Sequence, residues 1–119
     1  MSYDINILDP KTKEVIILDK PNTFKGGTYA VGNSYEAWLN ITYNYSKFYY
    51  DTINNELGIR WIYNKTGKEC LPVLEKAVAQ LGTKQSDNYW EATPGNAGNA
   101  LLGLIAFCKM CPNGVFDGD

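Results

Sequence analysis

The stretch FKGGTYAVGNSYEAWLNITYNYSKFYY, residues 24–50, decides the expected fold because a strand-like alternation runs through its centre. In this alternation one parity is apolar or aromatic and the other is mostly polar, which is the period of a half-buried strand. We predict that the first parity meets the core; its members are Leu39, Ile41, Tyr43 and Tyr45. The second parity then faces solvent or a ligand; its members are Trp38, Asn40, Thr42 and Asn44.

Before this stretch, two apolar runs predict a further pair of strands. Residues 3–8 alternate, residues 14–18 are β-branched and apolar, and Asp9–Pro10 between them suits a turn. We therefore predict a β-hairpin at the N-terminal side of the chain.

Three segments after the central alternation have helical signals. Ser46 suits the N-cap of a helix that runs to Gly58. Thr66 begins a capping box, although Pro72 predicts that the second helix is continuous only from about Leu71. Thr93 suits the N-cap of the last helix, with a proline at the first helical position. We expect this helix to be the most buried of the three, since its apolar stripe is broad.

Together these segments predict one domain over residues 1–119. Its class is α+β, with a small, mostly antiparallel sheet of three to five strands and about three helices packed on it.

Composition excludes several classes of function. A net charge of −2 argues against long nucleic acid as a partner, because such binding relies on neutralising phosphates. The first nine residues lack the basic and apolar regions of a signal peptide, and the longest apolar run, LLGLIAFC, is far too short to span a membrane. We therefore expect a cytoplasmic protein without a membrane partner; its oligomeric state stays open.

The residue types used in catalysis and metal binding are sparse. Histidine is absent, which removes the usual general base and the commonest metal ligand. Cys108 and Cys111 form a C-x-x-C at the predicted C-terminal end of a helix, where the helix dipole opposes the thiolate. A structural zinc needs four ligands, and only Cys70 remains. We expect no cofactor, no metal and no enzymatic activity, and we interpret the cysteines as buried, small apolar residues.

Two features qualify as contact surfaces. The glycine pair at residues 26–27 allows close approach of an anion or another ligand, or forms a simple turn. Aromatic rings can stack on a base or anchor a partner protein, or they fill the space between the sheet and its helices; we expect the second for most of them and keep Trp38 and Trp90 as contact candidates. The hypothesised partner-binding or ligand-binding residues are Lys25, Gly26, Gly27, Thr28, Trp38, Asn40, Thr42, Asn44 and Trp90.

Four blocks of the chain carry a resemblance to a known family. They are KGGTYAVG, EAWLNITYNYS, GIRWIYNKTGKECLPVLEKAVAQLG and NYWEATPGNAGNALLGLIAFCKMCPNGVFDGD. The chain resembles a family of small uncharacterised proteins of bacteriophages, prophages and bacterial genomes, and the resemblance covers nearly its whole length. It implies an accessory role for a phage or mobile element.

Small phage proteins of this kind often act by stoichiometric binding of a host protein, including inhibition of host defence. The sequence leaves two alternatives open. One is a protein that binds or sequesters a small, nucleotide-like ligand, and the other is an enzyme that uses carboxylate or tyrosine chemistry.

Overall fold

The computed structural model describes residues 2–22, 24, 26–27, 34–88 and 90–119. Its main sheet has three antiparallel strands in the order β4–β1–β5, which span Trp38–Thr42, Ser2–Leu8 and Val115–Gly118 respectively. The central strand β1 pairs Tyr3 with Ile41 and Ile7 with Phe116, and these four side chains are buried. One face of the sheet is therefore apolar, as the alternation of residues 3–8 requires.

The predicted hairpin between residues 3–8 and 14–18 is present but shorter than predicted. Its two arms form one antiparallel bridge, between Leu8 and Val15, in which Asp9 N–H donates to the carbonyl oxygen of Glu14 at 2.9 Å and Ile16 N–H to that of Ile7 at 3.0 Å. The Asp9 carboxylate accepts two main-chain hydrogen bonds inside the turn, at 2.8 and 3.1 Å. In the described part of the chain the pairing goes no further, because β4 takes residues 2–6 of the same edge of β1 and β5 takes the other edge. The second arm continues into a separate two-stranded sheet, formed by β2 (Ile17–Asn22) and β3 (Ser34–Glu36).

The described residues contain three α-helices, which are α1 (Ser46–Thr52), α2 (Gly67–Leu81) and α3 (Pro94–Met110). The first is shorter than the helix predicted over 46–58. The Asn54 side chain accepts hydrogen bonds from the main-chain N–H groups of Glu56 and Leu57, at 2.9 and 2.8 Å, and so forms a turn of its own. A 3₁₀ segment at Gly58–Ile62 follows.

The second helix keeps the predicted cap but not the predicted break. Thr66 and Glu69 form the capping box, and the helix is continuous from Gly67 with Pro72 inside it. The expectation that it begins only at about Leu71 is therefore wrong. Pro72 lies on the exposed side of the helix, where water can replace the hydrogen bond that its missing N–H would have made.

The third helix is the most buried, as predicted. Ten of its seventeen residues are buried, against four of fifteen in α2. Thr93 is its N-cap and accepts a hydrogen bond from the N–H of Asn96 at 3.1 Å, while Pro94 occupies the first turn. Small residues at its surface allow a close approach to α2, since a Cβ at Gly98 would lie 1.8 Å from the carbonyl oxygen of Gly82.

The α+β prediction is confirmed by this arrangement of a small antiparallel sheet, a second two-stranded sheet and three helices. The C-terminal residues form the edge strand β5 and are part of the sheet. Among the described residues, no helix combines the length and the apolar character that crossing a membrane requires.

Candidate functional site

The alternation that was predicted for residues 38–45 holds within β4 and fails after it. Leu39 and Ile41 are buried, and Trp38 and Asn40 on the other face are partly exposed. The strand ends at Thr42, and Tyr43–Tyr45 form a 3₁₀ turn. The prediction that the strand continues to residue 45 is therefore wrong, although Tyr45 reaches the core and Tyr43 packs against it.

Thr42 was predicted on the outward face, and this is wrong: only 7% of the residue is exposed. Its side-chain oxygen accepts a hydrogen bond from the N–H of Asn44 at 3.2 Å and so caps the 3₁₀ turn. Its own N–H donates to the carbonyl oxygen of Gly26 at 2.7 Å. Thr42 thus works as a corner residue that joins β4, the turn and the glycine pair.

The glycine pair lies against the outer edge of β4. Gly26 is buried and forms a parallel bridge with Ile41, and a Cβ at Gly26 would lie 2.1 Å from the carbonyl oxygen of Asn40. Gly27 has a φ of +81°, and a Cβ there would lie 2.4 Å from the Tyr45 hydroxyl oxygen. The pair therefore permits close approach, as hypothesised, but the approaching groups are the protein's own: the main chain of β4 at Gly26 and the side chain of Tyr45 at Gly27.

Asn44 connects this corner to Trp90. Its Nδ2 donates a hydrogen bond to the main-chain oxygen of Trp90 at 3.2 Å. The side chain of Asn44 is exposed and Trp90 is 49% exposed, so both lie at the surface. Four of the hypothesised residues are thus brought together with Trp90, and we name Gly26, Gly27, Thr42, Asn44 and Trp90 the corner cluster.

The other hypothesised residues lie elsewhere. Asn40 faces outward from the sheet, where its Nδ2 donates to Asp4 Oδ1 and to Ser2 Oγ on the neighbouring strand. Trp38 is opposite Asn6 on the same face. These two residues are therefore separate from the corner cluster and contribute to strand pairing. Lys25 and Thr28 lie outside the described residues.

Asn96 supports the corner cluster, and the sequence did not single it out. It is 2% exposed, and its Oδ1 accepts a hydrogen bond from the N–H of Ser86 at 3.0 Å. Its Nδ2 shares two hydrogens among three acceptors, each at 3.0 Å: Ser86 Oγ and the carbonyl oxygens of Asn88 and Glu91. The only signal in the sequence is an amide among the small and apolar residues of the first helical turn.

Burial opposes ionisation of Cys70, Cys108 and Tyr49. Burial raises the pKa of Cys70 to about 11 and that of Cys108 to about 12. Burial also raises the pKa of Tyr49 well above its ordinary value, and its hydroxyl donates to the carbonyl oxygen of Ala97 at 2.9 Å. A cysteine nucleophile or a tyrosine base needs a lowered pKa to be deprotonated near neutral pH.

Within the described residues, no three Cys, Asp or Glu side chains lie close enough together to hold a metal ion. What the corner cluster offers chemically is therefore a half-exposed indole on a well-supported loop.

Comparison with known proteins gives no relative from which a function can be transferred. No family model, no curated protein and no solved structure matches the chain. The function therefore has to be argued from the geometry of the described residues.

Proposed function

We propose that this chain is a non-catalytic accessory protein of a phage or prophage, which acts in the host cytoplasm by stoichiometric binding of a host protein. The host protein that it binds is a defence protein, and the binding inhibits that protein. The proposal is supported by the residue types at the surface and by the chemistry that the described residues lack.

The observation that carries the proposal is the display of Trp90. Asn44 holds its main-chain oxygen, and Asn96 holds the same loop through Ser86, Asn88 and Glu91. Half of the residue remains exposed. Tryptophan is enriched among the residues that dominate binding energy at protein interfaces, and a loop that is already ordered loses little entropy when it binds.

An enzymatic function has less support. The resolved pKa shifts of Cys70, Cys108, Tyr49 and Tyr63 all favour the protonated form, with burial as the largest cause. Among the described residues, burial does not dominate at Asp9, whose pKa is lowered because its carboxylate accepts main-chain hydrogen bonds in an exposed turn. Such a carboxylate orders a turn and is a weak base.

Trp90→Ala tests the proposal, with Tyr35→Ala as the matched control because Tyr35 is an exposed aromatic residue of β3. Each tagged protein is incubated with lysate from a bacterium that carries the phage or prophage, and the captured proteins are quantified against the bait. We expect the wild type and Tyr35→Ala to recover one protein in near-equimolar amount and Trp90→Ala to lose it. Equal recovery by Trp90→Ala, or no equimolar partner for the wild type, would contradict the proposal.

A second candidate function is the binding of a small nucleotide-like ligand at the corner cluster. It is favoured by the proximity of an exposed indole, on which a base can stack, and the Asn44 amide, which can hydrogen-bond to a base edge. A panel of nucleotides in a thermal-shift assay tests it. An increase in Tm that disappears in Trp90→Ala would support this function, and the absence of any shift would remove it.

A further inference from the structure

A second surface, distinct from the corner cluster, runs along the strand β2. It is a groove of about 620 Å³. Six consecutive residues, 16–21, form one wall, and the C-terminal end of α3 forms the other. Its lining residues are Ile16, Ile17, Leu18, Asp19, Lys20, Pro21, Phe24, Met110 and Cys111. We name it the β2 groove.

The side chains of the β2 groove leave large apolar groups in contact with water. Ile17 is 66% exposed, Met110 is 53% exposed and Phe24 is 36% exposed. Single exposed apolar side chains are common on protein surfaces, whereas several that line one groove are typical of an interaction site.

The ladder of β2 is also irregular in the described part of the chain. Its ladder with β3 joins Ile17 to Glu36 and Asn22 to Ser34, and the register shifts between these two pairs. Four residues of β2, Leu18 to Pro21, therefore stand opposite the single residue Tyr35. Among the described residues, no main-chain hydrogen bond outside this ladder involves residues 18–21. Among the described residues, β2 is an edge strand of its two-stranded sheet, and an edge strand can accept another extended chain.

The charges of the β2 groove disfavour a second copy of this chain as the occupant. Two identical antiparallel strands that are related by a two-fold axis must pair one residue with its own copy at the centre. A pair centred on the middle of residues 18–21 places either Asp19 opposite Asp19 or Lys20 opposite Lys20. Both side chains are exposed, and like charges directly opposite each other destabilise strand pairing.

The same two charges favour a different strand of opposite pattern. An antiparallel segment that carries an acidic residue followed by a basic residue would place the acid opposite Lys20 and the base opposite Asp19. We propose that β2 accepts such an extended segment of a partner protein as an added antiparallel strand, with an apolar side chain in the β2 groove. The partner is thus identified by its chemistry: an extended segment with apolar residues around an acidic–basic pair.

Synthetic peptides test this proposal directly. The probe is an eight-residue peptide of alternating valine and threonine with a central Glu–Lys pair and blocked ends, measured by fluorescence anisotropy. Its two controls are the same peptide with a Lys–Glu pair and the same peptide N-methylated at alternate residues. We expect the Glu–Lys peptide to bind about tenfold more tightly than the N-methylated form, since methylation removes the main-chain donors that strand addition uses.

Variants of the protein locate the binding. Ile17→Ser and Met110→Ser should weaken the Glu–Lys peptide, whereas Leu102→Ser, on an exposed part of α3 outside the groove, should not. The charge-exchanged variant D19K/K20D should prefer the Lys–Glu peptide. This reversal is not expected of a groove that holds apolar molecules without strand pairing.

Several outcomes would overturn the proposal. The first is that none of the three peptides binds at millimolar concentration. The second is that the N-methylated peptide binds as tightly as the Glu–Lys peptide. The third is that Ile17→Ser binds the Glu–Lys peptide as tightly as the wild type does. Self-association in sedimentation equilibrium that Ile17→Ser abolishes would assign the groove to a second copy. The proposal is independent of Trp90, so Trp90→Ala should bind the Glu–Lys peptide as the wild type does, whatever the outcome of the lysate experiment.

Discussion

The two ends of α3 support surfaces of opposite character. At the N-terminal end, Asn96 satisfies the polar groups of a loop and the loop displays Trp90. At the C-terminal end, Met110 and the edge strand β2 border an apolar groove. The loop at the first end is held by several internal hydrogen bonds, so it suits recognition by a fixed side chain. The second end includes the edge of a sheet, so it suits an occupant that brings a main chain of its own.

The largest expected effect comes from a residue on which both ends depend. Phe107 is fully buried, and its ring contacts Phe24 edge-on with centroids 5.8 Å apart. We expect Phe107→Ala to lower the free energy of unfolding by about 4 kcal/mol, because it removes apolar contacts and leaves a cavity. Urea denaturation measures this change. Leu102→Ala is the control, since Leu102 is partly exposed on the same helix and should cost less than about 1 kcal/mol.

Phe107→Ala also removes the support of Phe24 and should therefore weaken peptide binding in the β2 groove. If Phe107→Ala loses no more stability than Leu102→Ala does, the packing of α3 does not support both surfaces.

A smaller effect, confined to one end, is expected from Asn96→Ala. The change leaves the N–H of Ser86 and the carbonyl oxygens of Asn88 and Glu91 without their buried partner. We expect the free energy of unfolding to fall by about 2 kcal/mol, the cost of unsatisfied buried polar groups. Amide hydrogen exchange should show faster exchange at Ser86, while peptide binding at the β2 groove stays unchanged. Weaker binding of the peptide to this variant would mean that the two ends are coupled.

The contrast between the ends also explains what the sequence could predict. The caps of α2 and α3 were predicted correctly, because a capping box and a Thr–Pro pair act within four residues of the chain. The burial of Leu39 and Ile41 was predicted for the same reason, since alternation is a local signal. Local patterns therefore sufficed for the fold class and for most of the helix starts.

The pairing of strands could not be predicted from local patterns. How far residues 14–18 pair with β1 depends on competition from β4, which is distant in sequence and takes residues 2–6 of that edge of β1, so only the pairing at Leu8 and Val15 forms. The predicted contact residues lie in two separate places for a similar reason. Asn40 and Asn44 have the same parity, but the turn capped by Thr42 sends Asn44 toward Trp90, 46 residues further along the chain.

The smallest effect near neutral pH concerns the C-terminal end of α3, where Cys108 lies. The pKa of this thiol is raised from 9.0 to about 12. Burial is the largest cause, and the neighbouring Cys70 is the second. Below about pH 9 the thiol is protonated in both the folded and the unfolded chain, so its contribution to stability is constant. Above that value the unfolded chain loses the proton first. The free energy of unfolding should therefore fall progressively between about pH 9 and about pH 12.

Cys108→Ala tests this expectation at the C-terminal end, because it removes the thiol and changes the packing little. Urea denaturation at about pH 8 and about pH 10 gives the change in the free energy of unfolding between the two pH values for each protein. This free energy should fall more in the wild type than in the variant. Tyr49, whose pKa is also raised by burial, contributes equally to both proteins and cancels in the comparison. Asn96→Ala serves as the control from the other end of α3, since it removes no titratable group and should retain the pH dependence of the wild type. Identical pH dependence in Cys108→Ala and the wild type would mean that the thiol is hydrated in the folded protein, and that the apolar core does not extend to this end of the helix.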